Sequence, residues 1–309
     1  MKVVVTGATG FLGKWLVEEL LRRGDEVLAI VRDISKIPIS WSDSKKLKII
    51  KCALSDYNEL LQDETFIMNA DVFFHFAWQG TSGISRTDID MQLENARASC
   101  VAVHLAKKMR CKRFVHAGSI MEYEAIKNFT IDGFAPGMSC IYSIAKTMSD
   151  YLARTVAVQE GLEYINLIIA NIYGVRESSA RFVNTMLKRM IAGEQLLLTD
   201  GKQKYDFIYV SDAVRAILLV AEKGKNLENY YIGNSEQKLL KDYVLSMHKV
   251  VGSMSELRFG EIERHSKSLE YDEFDVNKLE RELGFKSEIS FEQGIKYLSE
   301  WIMMEDNDE

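Results

Sequence analysis

The chain opens with the stretch Lys2-Val3-Val4-Val5-Thr6-Gly7-Ala8-Thr9-Gly10-Phe11-Leu12-Gly13. A β-branched run leads into three evenly spaced glycines, and a segment with helical periodicity follows. Such glycines permit a tight turn, bring the backbone close to a ligand and let the helix pack against the strand. The helix N-terminus then offers N–H groups and a positive dipole end to phosphates. The stretch therefore predicts a dinucleotide-binding loop formed by Gly7, Thr9, Gly10, Phe11, Leu12 and Gly13.

The first half of the chain alternates short apolar runs with helical periodicity. We predict strands at Lys2–Val5, Glu26–Val31, Leu47–Ile50, Asp71–Phe76 and Arg113–His116, and helices at Phe11–Arg23 and Glu94–Met109. Alternation of this kind requires crossovers between parallel strands, and continuously apolar strands are buried on both faces. The predicted fold class is α/β, with a doubly wound parallel sheet of the Rossmann type.

The pattern becomes mixed after about residue 170. It predicts helices at Arg181–Ala192 and Ser211–Glu222 and strands at Asp206–Val210 and Tyr230–Ile232. We expect a dinucleotide-binding domain over residues 1–170, with a return segment at about 205–237. Residues 171–204 and 238–309 are expected to form a smaller mixed substrate-binding lobe.

Composition excludes several classes of protein. The 309 residues are 47% hydrophobic, enough for a large core, and the net charge of −6 disfavours nucleic-acid binding. Four cysteines without C-x-x-C spacing indicate reduced thiols, and five scattered histidines give no metal-ligand pattern. We expect no signal peptide, and no apolar run in the sequence reaches the length of a membrane span. We expect a cytoplasmic protein without a metal, nucleic-acid or membrane partner.

The end of the second predicted strand bears on the cofactor. It reads Ala29-Ile30-Val31-Arg32-Asp33. An arginine there pairs with the 2′-phosphate of NADP, whereas an acidic residue accepts from the 2′-hydroxyl of NAD. Because Arg32 comes first, NADP(H) is favoured. The alternative is NAD(H), with Asp33 on the ribose and Arg32 a solvated charge.

A tyrosine and a lysine lie four residues apart in Tyr142-Ser143-Ile144-Ala145-Lys146. On a helix they share one face. A phenol has a reference pKa of about 10, and a nearby ammonium stabilises the phenolate, so Tyr142 is a candidate general acid/base. Lys146 can also reach a ribose hydroxyl. Taken alone, the pair is more often an ordinary surface contact.

A serine follows the apolar strand Phe114-Val115-His116-Ala117-Gly118-Ser119. Strand C-terminal ends line the ligand crevice of an open parallel sheet. Ser119 can therefore bind a reacting oxygen and orient it toward Tyr142. A helix-capping serine is the alternative.

The order of glycine loop, Ser119, Tyr142 and Lys146 resembles the extended short-chain dehydrogenase/reductase family, which includes nucleotide-sugar epimerases, dehydratases and ketoreductases. The likeness covers nearly the whole chain. It implies that Ala77, in His75-Phe76-Ala77, lies beside the cofactor. It also implies substrate contacts for Asn95 and for Asn171, the latter in Asn171-Ile172-Tyr173-Gly174.

Other segments match less closely. Residues 205–212 resemble the family's strand before the substrate site, but the usual arginine is Tyr205, with Lys204 as a possible substitute of different geometry. Arg264 lies roughly at a second diphosphate-binding position. Ala53 replaces an acidic residue near the adenine, which leaves Leu54 as a packing contact. A second acid/base role for Cys140 is less favoured than a buried thiol.

The resemblance implies hydride transfer at a sugar carbon. The acidic pair that follows this serine position in 4,6-dehydratases is Ile120-Met121 here, which disfavours dehydration. Arg32 and residues 258–264 favour an NADP(H)-dependent 4-keto-6-deoxyhexose reductase acting on a nucleotide sugar. A nucleotide-sugar 4-epimerase is the alternative. A non-catalytic NADP-sensing relative and a simple aldehyde or ketone reductase are more distant alternatives.

Relatives often dimerise through helices that correspond to Glu94–Met109 and Tyr142–Val158, so we expect a homodimer.

Overall fold

The computed structural model describes residues 1–64, 68–123, 137–138, 140–263, 271 and 274–308, with the backbone alone for residues 306–308. The strands are β1 Lys2–Thr6, β2 Glu26–Val31, β3 Leu47–Lys51, β4 Val72–His75, β5 Arg113–Ala117, β6 Glu163–Ile169, β7 Asn171–Tyr173, β8 Leu196–Leu198, β9 Lys204–Tyr205, β10 Phe207–Tyr209, β11 Asn229–Ile232, β12 Lys238–Leu239 and β13 Leu257–Phe259. The helices are α1 Phe11–Arg22, α2 Tyr57–Gln62, α3 Ile89–Lys108, α4 Cys140–Glu160, α5 Phe182–Ile191, α6 Val210–Lys223, α7 Leu240–Val251, α8 Lys278–Leu283 and α9 Phe291–Asp308.

A seven-stranded sheet has the order β3-β2-β1-β4-β5-β6-β11. Neighbouring strands from β3 to β6 pair in parallel, with Val5 opposite both Ala29 and Phe74. The chain extends the sheet to one side of β1 and then returns to the other side with β4. The carboxyl ends of β1 and β4 therefore form a switch point, where sheets of this kind bind ligands. The predicted fold class is confirmed.

Burial explains why these segments form strands. Val3, Val4 and Val5 are fully buried, as expected for a parallel strand covered on both faces. Helix α1 contributes Leu16 and Leu20 to the same core at helical spacing. Local sequence and tertiary burial thus favour the same elements.

Helices α3 and α4 pack against each other. Both contribute alanines to one core cluster: Ala98, Ala102 and Ala106 on α3, and Ala153 and Ala157 on α4. Helix α3 begins at Ile89, before the predicted start at Glu94, because the Asp88 side chain accepts a hydrogen bond from the Met91 N–H at 3.0 Å. That cap adds a turn to the helix.

The chain forms two compact units, Met1–Ile169 with Ile217–Tyr230, and Ala170–Ala216 with Tyr231–Glu309. The second unit contains short strand pairs: β7 with β10, β8 with β13 and β9 with β12. Its core includes Phe207, Tyr243 and Phe291, whose ring centres lie 4.6–5.7 Å apart. Across the described ranges, no helix is long and apolar enough to cross a membrane.

Most predicted elements are present within a few residues, but several elements were not predicted, among them strand β6 of the large sheet. Its sequence, Glu163-Tyr164-Ile165-Asn166-Leu167-Ile168-Ile169, carries a fully buried asparagine. The predicted strand Asp206–Val210 is also shorter, because helix α6 starts at Val210 directly after β10. In both places tertiary contacts override the local pattern.

Candidate active site

The glycine loop connects β1 to α1. Gly7 has φ +68°, and a Cβ there would lie 2.6 Å from the backbone of Phe76 and Ala77. A Cβ on Gly13 would lie 2.1 Å from the Gly7 carbonyl oxygen. Real side chains do not tolerate such contacts, so the loop requires glycine at both positions.

The N-terminus of α1 is suited to an anion. Gly10 occupies the N-cap position, and no side chain caps the helix. Gly10 is exposed, and Thr9, Phe11 and Leu12 are partly exposed. Uncapped N–H groups at a helix start bind phosphate oxygens. The residues at this loop therefore fit a dinucleotide diphosphate.

The other predicted cofactor residues occupy three positions. The Ala77 N–H donates to Thr6 Oγ1 at 3.2 Å, which ties the β4 end to the loop. Leu54 is buried in the core. Arg32 is exposed after β2. The Asp33 carboxylate accepts hydrogen bonds from the Ser35 hydroxyl at 2.7 Å and the Ser35 N–H at 2.9 Å, and these bonds lower the pKa of Asp33.

Helix α4 lies against the end of β5. The Lys146 Nζ donates to the Ala117 carbonyl at 2.8 Å, and Thr147 Oγ1 donates to the Glu122 carbonyl at 3.1 Å. These bonds join the helix that carries Tyr142 and Lys146 to the segment that carries Ser119. The Ser119 Oγ accepts from the Met121 N–H at 3.2 Å.

Aromatic and basic side chains surround the Tyr142 ring. The Arg86 guanidinium lies 4.2 Å from the ring centre, and the Trp78 ring packs edge-on at 6.1 Å. The Lys146 ammonium lies 3.6 Å from the centre of the Trp78 ring. Two cationic side chains therefore lie close to Tyr142, and nearby positive charge stabilises the phenolate form of a tyrosine.

Two buried amides hold the loop that carries Trp78 and Arg86. Gln92 Oε1 accepts from Trp78 Nε1 at 2.9 Å, and Gln92 Nε2 donates to the Gly80 carbonyl at 3.0 Å. Asn95 accepts from the Gln79 N–H at 2.9 Å and donates to the Gln79 carbonyl at 2.8 Å. Both polar groups of Asn95 are thus engaged, and the structure places this residue beneath the loop.

A second ionisable side chain, Glu122, is buried near Lys146. Burial raises the pKa of Glu122 and lowers the pKa of Lys146, while the opposite charge of each partner acts in the reverse direction. Glu122 lies three residues after Ser119, and its Oε1 accepts from the Ser119 N–H at 2.7 Å. The negative charge of Glu122 raises the pKa of Lys146 and so opposes the effect of burial.

The residues predicted to bind substrate in the second unit lie near the junction of β7, β9 and β10. Asn171 Nδ2 donates to the Asp206 carbonyl at 3.1 Å. Lys204 is exposed on β9, and Tyr205 next to it stacks on Phe207 with ring centres 5.6 Å apart. Arg264 lies outside the described residues.

Sequence reasoning missed Trp78, Arg86 and Glu122. Trp78 had a usable signal, because a large aromatic residue directly after the buried β4 segment lies at the ligand side of the sheet. Glu122 had a weaker signal, its position shortly after a buried strand. Nothing in the local sequence distinguishes Arg86 from other loop arginines.

The glycine loop, the parallel sheet and the Tyr142–Lys146 helix define a Rossmann-type protein of the extended short-chain dehydrogenase/reductase class. The NAD dependent epimerase/dehydratase family model matches residues 3–233, and the chain belongs to this family. The family expected from the sequence is therefore confirmed.

Curated relatives span nearly the whole chain. CDP-abequose synthase from Salmonella typhimurium is 27% identical over 303 residues, covering 96% of each chain. UDP-N-acetyl-alpha-D-glucosaminuronate decarboxylase from Bacillus cytotoxicus is 27% identical over 323 residues, covering 99% of each. Relatives with different reactions thus share similar identity to this chain.

Solved structures share the fold. UDP-glucose 4-epimerase from Thermotoga maritima, solved with UDP-glucose, has a TM-score of 0.81 at 23% identity and 99% coverage of each chain. A dTDP-glucose 4,6-dehydratase from Streptomyces venezuelae, solved with NAD and TYD bound, has a TM-score of 0.80 at 23% identity, covering 99% of this chain and 98% of the other.

Proposed function

We propose that this protein is an NADP(H)-dependent oxidoreductase that reduces the 4-keto carbon of a nucleoside-diphosphate 6-deoxyhexose. The observation that carries the proposal is the surroundings of Tyr142, with the Arg86 guanidinium on its ring and Lys146 one helical turn away. Similarity to CDP-abequose synthase over 96% of the chain supports a nucleotide sugar as substrate.

Three side chains perform the proton chemistry in this proposal. The Ser119 hydroxyl donates to the substrate carbonyl oxygen and orients it. Tyr142 passes its phenolic proton to that oxygen as the carbonyl becomes an alkoxide, and the charge of Lys146 stabilises the phenolate that remains. A bound nicotinamide would supply the hydride for such a reduction.

The cofactor would be held by the glycine loop, the start of α1 and Lys146. We assign Arg32 to the 2′-phosphate of NADP(H). This assignment is supported by Asp33, whose carboxylate already accepts two hydrogen bonds from Ser35. We place the nucleotide sugar beside Asn171, Lys204, Tyr205 and Arg264, in the lobe expected over residues 171–204 and 238–309.

A cofactor titration tests this proposal. The purified protein is first checked for bound nicotinamide by absorbance and then titrated with NADPH and NADH by fluorescence. We expect free protein that prefers NADPH, and an Arg32→Gln variant that loses about tenfold or more in NADPH affinity while NADH affinity changes little. Asp33→Asn is the matched control and should retain the preference. Protein purified with tightly held NAD would instead indicate the 4-epimerase.

We also propose a homodimer formed through α3 and α4. These two helices carry four exposed apolar side chains: Leu93, Tyr151, Leu152 and Val158. Exposed apolar patches often mark surfaces that bind another protein chain. Light scattering should give twice the 35.3 kDa chain mass. Leu152→Arg should give the monomer mass, and Ile39→Arg, at an exposed isoleucine elsewhere, should not. A monomeric wild-type protein would contradict the proposal.

A further inference from the structure

A buried carboxylate lies directly behind Ser119. Glu122 is 3% exposed; its Oε1 accepts from the Ser119 N–H at 2.7 Å, and its Oε2 accepts from Asn166 Nδ2 at 3.1 Å. A Cβ on Gly118 would lie 2.6 Å from Glu122 Oε1. The end of β5 is therefore shaped around this carboxylate, which fixes the backbone of Ser119.

The Lys146 ammonium is also buried at the end of β5, near this carboxylate. Lys146 is 5% exposed, and its Nζ contacts the Ala117 carbonyl at 2.8 Å and the Trp78 ring at 3.6 Å. A carbonyl and an aromatic ring stabilise an ammonium less than bulk water does. The nearby negative charge of Glu122 opposes this loss of solvation.

The other ionisable groups that face Lys146 and Glu122 are neutral or paired at neutral pH. Asp150 on α4 forms an ion pair with Arg154 at 3.1 Å. Burial keeps the pKa of the histidines low and that of the tyrosines high, so these groups stay uncharged: His75 on β4, His116 on β5, Tyr164 on β6 and Tyr123 after Ser119. Glu122 differs from Asp150, since its oxygens are bonded to the neutral N–H groups of Ser119 and Asn166.

We propose that Glu122 is a positioning residue whose buried negative charge keeps Lys146 protonated while its oxygens hold Ser119 in place. Each of the two charges stabilises the other, so neutralising either one favours the neutral form of its partner. The kinetic consequence, a Tyr142 that depends on Glu122, rests on the proposed function. The charge state of Lys146 does not depend on the proposed function, and it can be measured without a substrate.

Trp78 provides the measurement. Because the Lys146 ammonium lies over the Trp78 ring, the fluorescence emission of Trp78 should follow the protonation of Lys146. Subtracting the spectrum of a Trp78→Phe variant separates the Trp78 emission from that of the other three tryptophans. A Lys146→Met variant should lose this pH-dependent signal. In Glu122→Gln the midpoint of the Trp78 emission change with pH should move down by roughly 1 pH unit or more.

The glutamine preserves the local hydrogen bonds. Its carbonyl can accept from the Ser119 N–H, and a turned Asn166 amide can present Oδ1, which has no hydrogen-bond partner within the described ranges. Glu122→Asp, which keeps the charge, should leave the midpoint closer to that of the wild type than Glu122→Gln does. An unchanged or higher midpoint in folded Glu122→Gln would overturn the proposal.

A reciprocal measurement remains informative if Glu122→Gln does not fold. In Lys146→Met the missing ammonium should leave Glu122 protonated at neutral pH, which adds a protonated-carboxyl band to the infrared spectrum. The wild type should lack that band, and an unchanged spectrum in Lys146→Met would overturn the proposal. Confirmed charge coupling in a protein that never oxidises NADPH would leave this inference intact and reject the proposed function instead.

Discussion

The Lys146 ammonium lies 3.6 Å from the centre of the Trp78 ring, and the Trp78 ring packs edge-on against Tyr142. Trp78 thus contacts both members of the Tyr-x-x-x-Lys pair. It is fixed in turn by Gln92, whose side chain accepts from the indole N–H at 2.9 Å. The position of the pair depends on the loop after β4 as well as on the helix that carries it.

Tyr142→Phe should abolish turnover while leaving the cofactor affinity unchanged. The phenylalanine ring retains the contacts with Trp78 and Arg86 but lacks the proton. Loss of a general acid reduces the rate by about 10²–10⁴-fold. Steady-state NADPH consumption and fluorescence titration measure the two quantities separately. Equal turnover in the variant and the wild type would remove Tyr142 from the chemistry.

Arg86→Gln should shift the alkaline limb of the pH–rate profile for ketone reduction, where Tyr142 must still hold its proton, to higher pH. Removing the guanidinium from the Tyr142 ring makes the phenolate less favourable, so a higher pH is needed for the same protonation state. Arg86→Lys is the control that keeps the charge and should shift the limb less. The measurement is kcat/KM against pH; profiles that superimpose would show that Arg86 does not act on Tyr142.

Gly7→Ala should lose cofactor binding, and Gly161→Ala should not. Both glycines have positive φ, +68° and +64°, so an alanine at either site is strained by about 1–2 kcal/mol. The two sites differ in the room that they leave for a side chain. A Cβ on Gly7 would meet backbone atoms at 2.6 Å, whereas a Cβ on Gly161 would meet nothing within 4 Å. Thermal melting and NADPH titration of both variants separate strain from crowding. Equal NADPH affinity in the two variants would contradict a diphosphate site at Gly7.

His116→Phe should make the protein more resistant to acid. Burial lowers the pKa of His116 well below its usual range, so the unfolded chain binds a proton below about pH 6.5 that the folded chain does not. Stability is therefore retained above that pH and falls as the pH drops. Between pH 6.5 and pH 5 the loss is about 2 kcal/mol for this histidine.

Denaturant unfolding of both chains at about pH 7.5 and pH 5 measures this effect. The variant should lose about 2 kcal/mol less than the wild type on acidification. His75 and Glu122 are present in both chains, so the difference isolates His116. A phenylalanine ring suits the site, where the His116 ring packs beside both Phe114 and Tyr164. Identical losses in the two chains would contradict a buried neutral histidine.

The sheet and the cofactor loop could be predicted because their signals are local. Val3–Val5 and the glycines at 7, 10 and 13 carry the pattern within a dozen residues. Strand β6 was missed because Asn166 interrupts its apolar run, and the polar group is tolerated only through its hydrogen bond to Glu122. That partner lies 44 residues away in sequence.

The surroundings of the candidate site could not be predicted for the same reason. In sequence, Glu122 and Arg86 are ordinary charged residues, of the kind usually found in solvent. Their roles come from the burial of Glu122 against the Ser119 N–H and from the contact of Arg86 with the Tyr142 ring, and both arise only in the folded chain. Ser119, Tyr142 and Lys146 themselves were found because the order of motifs, rather than any single contact, identified the family.

The most direct test of the account is the stoichiometry of NADPH oxidation with a CDP- or dTDP-linked 4-keto-6-deoxyhexose. We predict one NADPH consumed for each sugar alcohol formed by the wild type, and none above background by Tyr142→Phe. An unchanged NADPH concentration with every such 4-keto sugar, or interconversion of sugar epimers without net NADPH consumption, would contradict the proposed reductase.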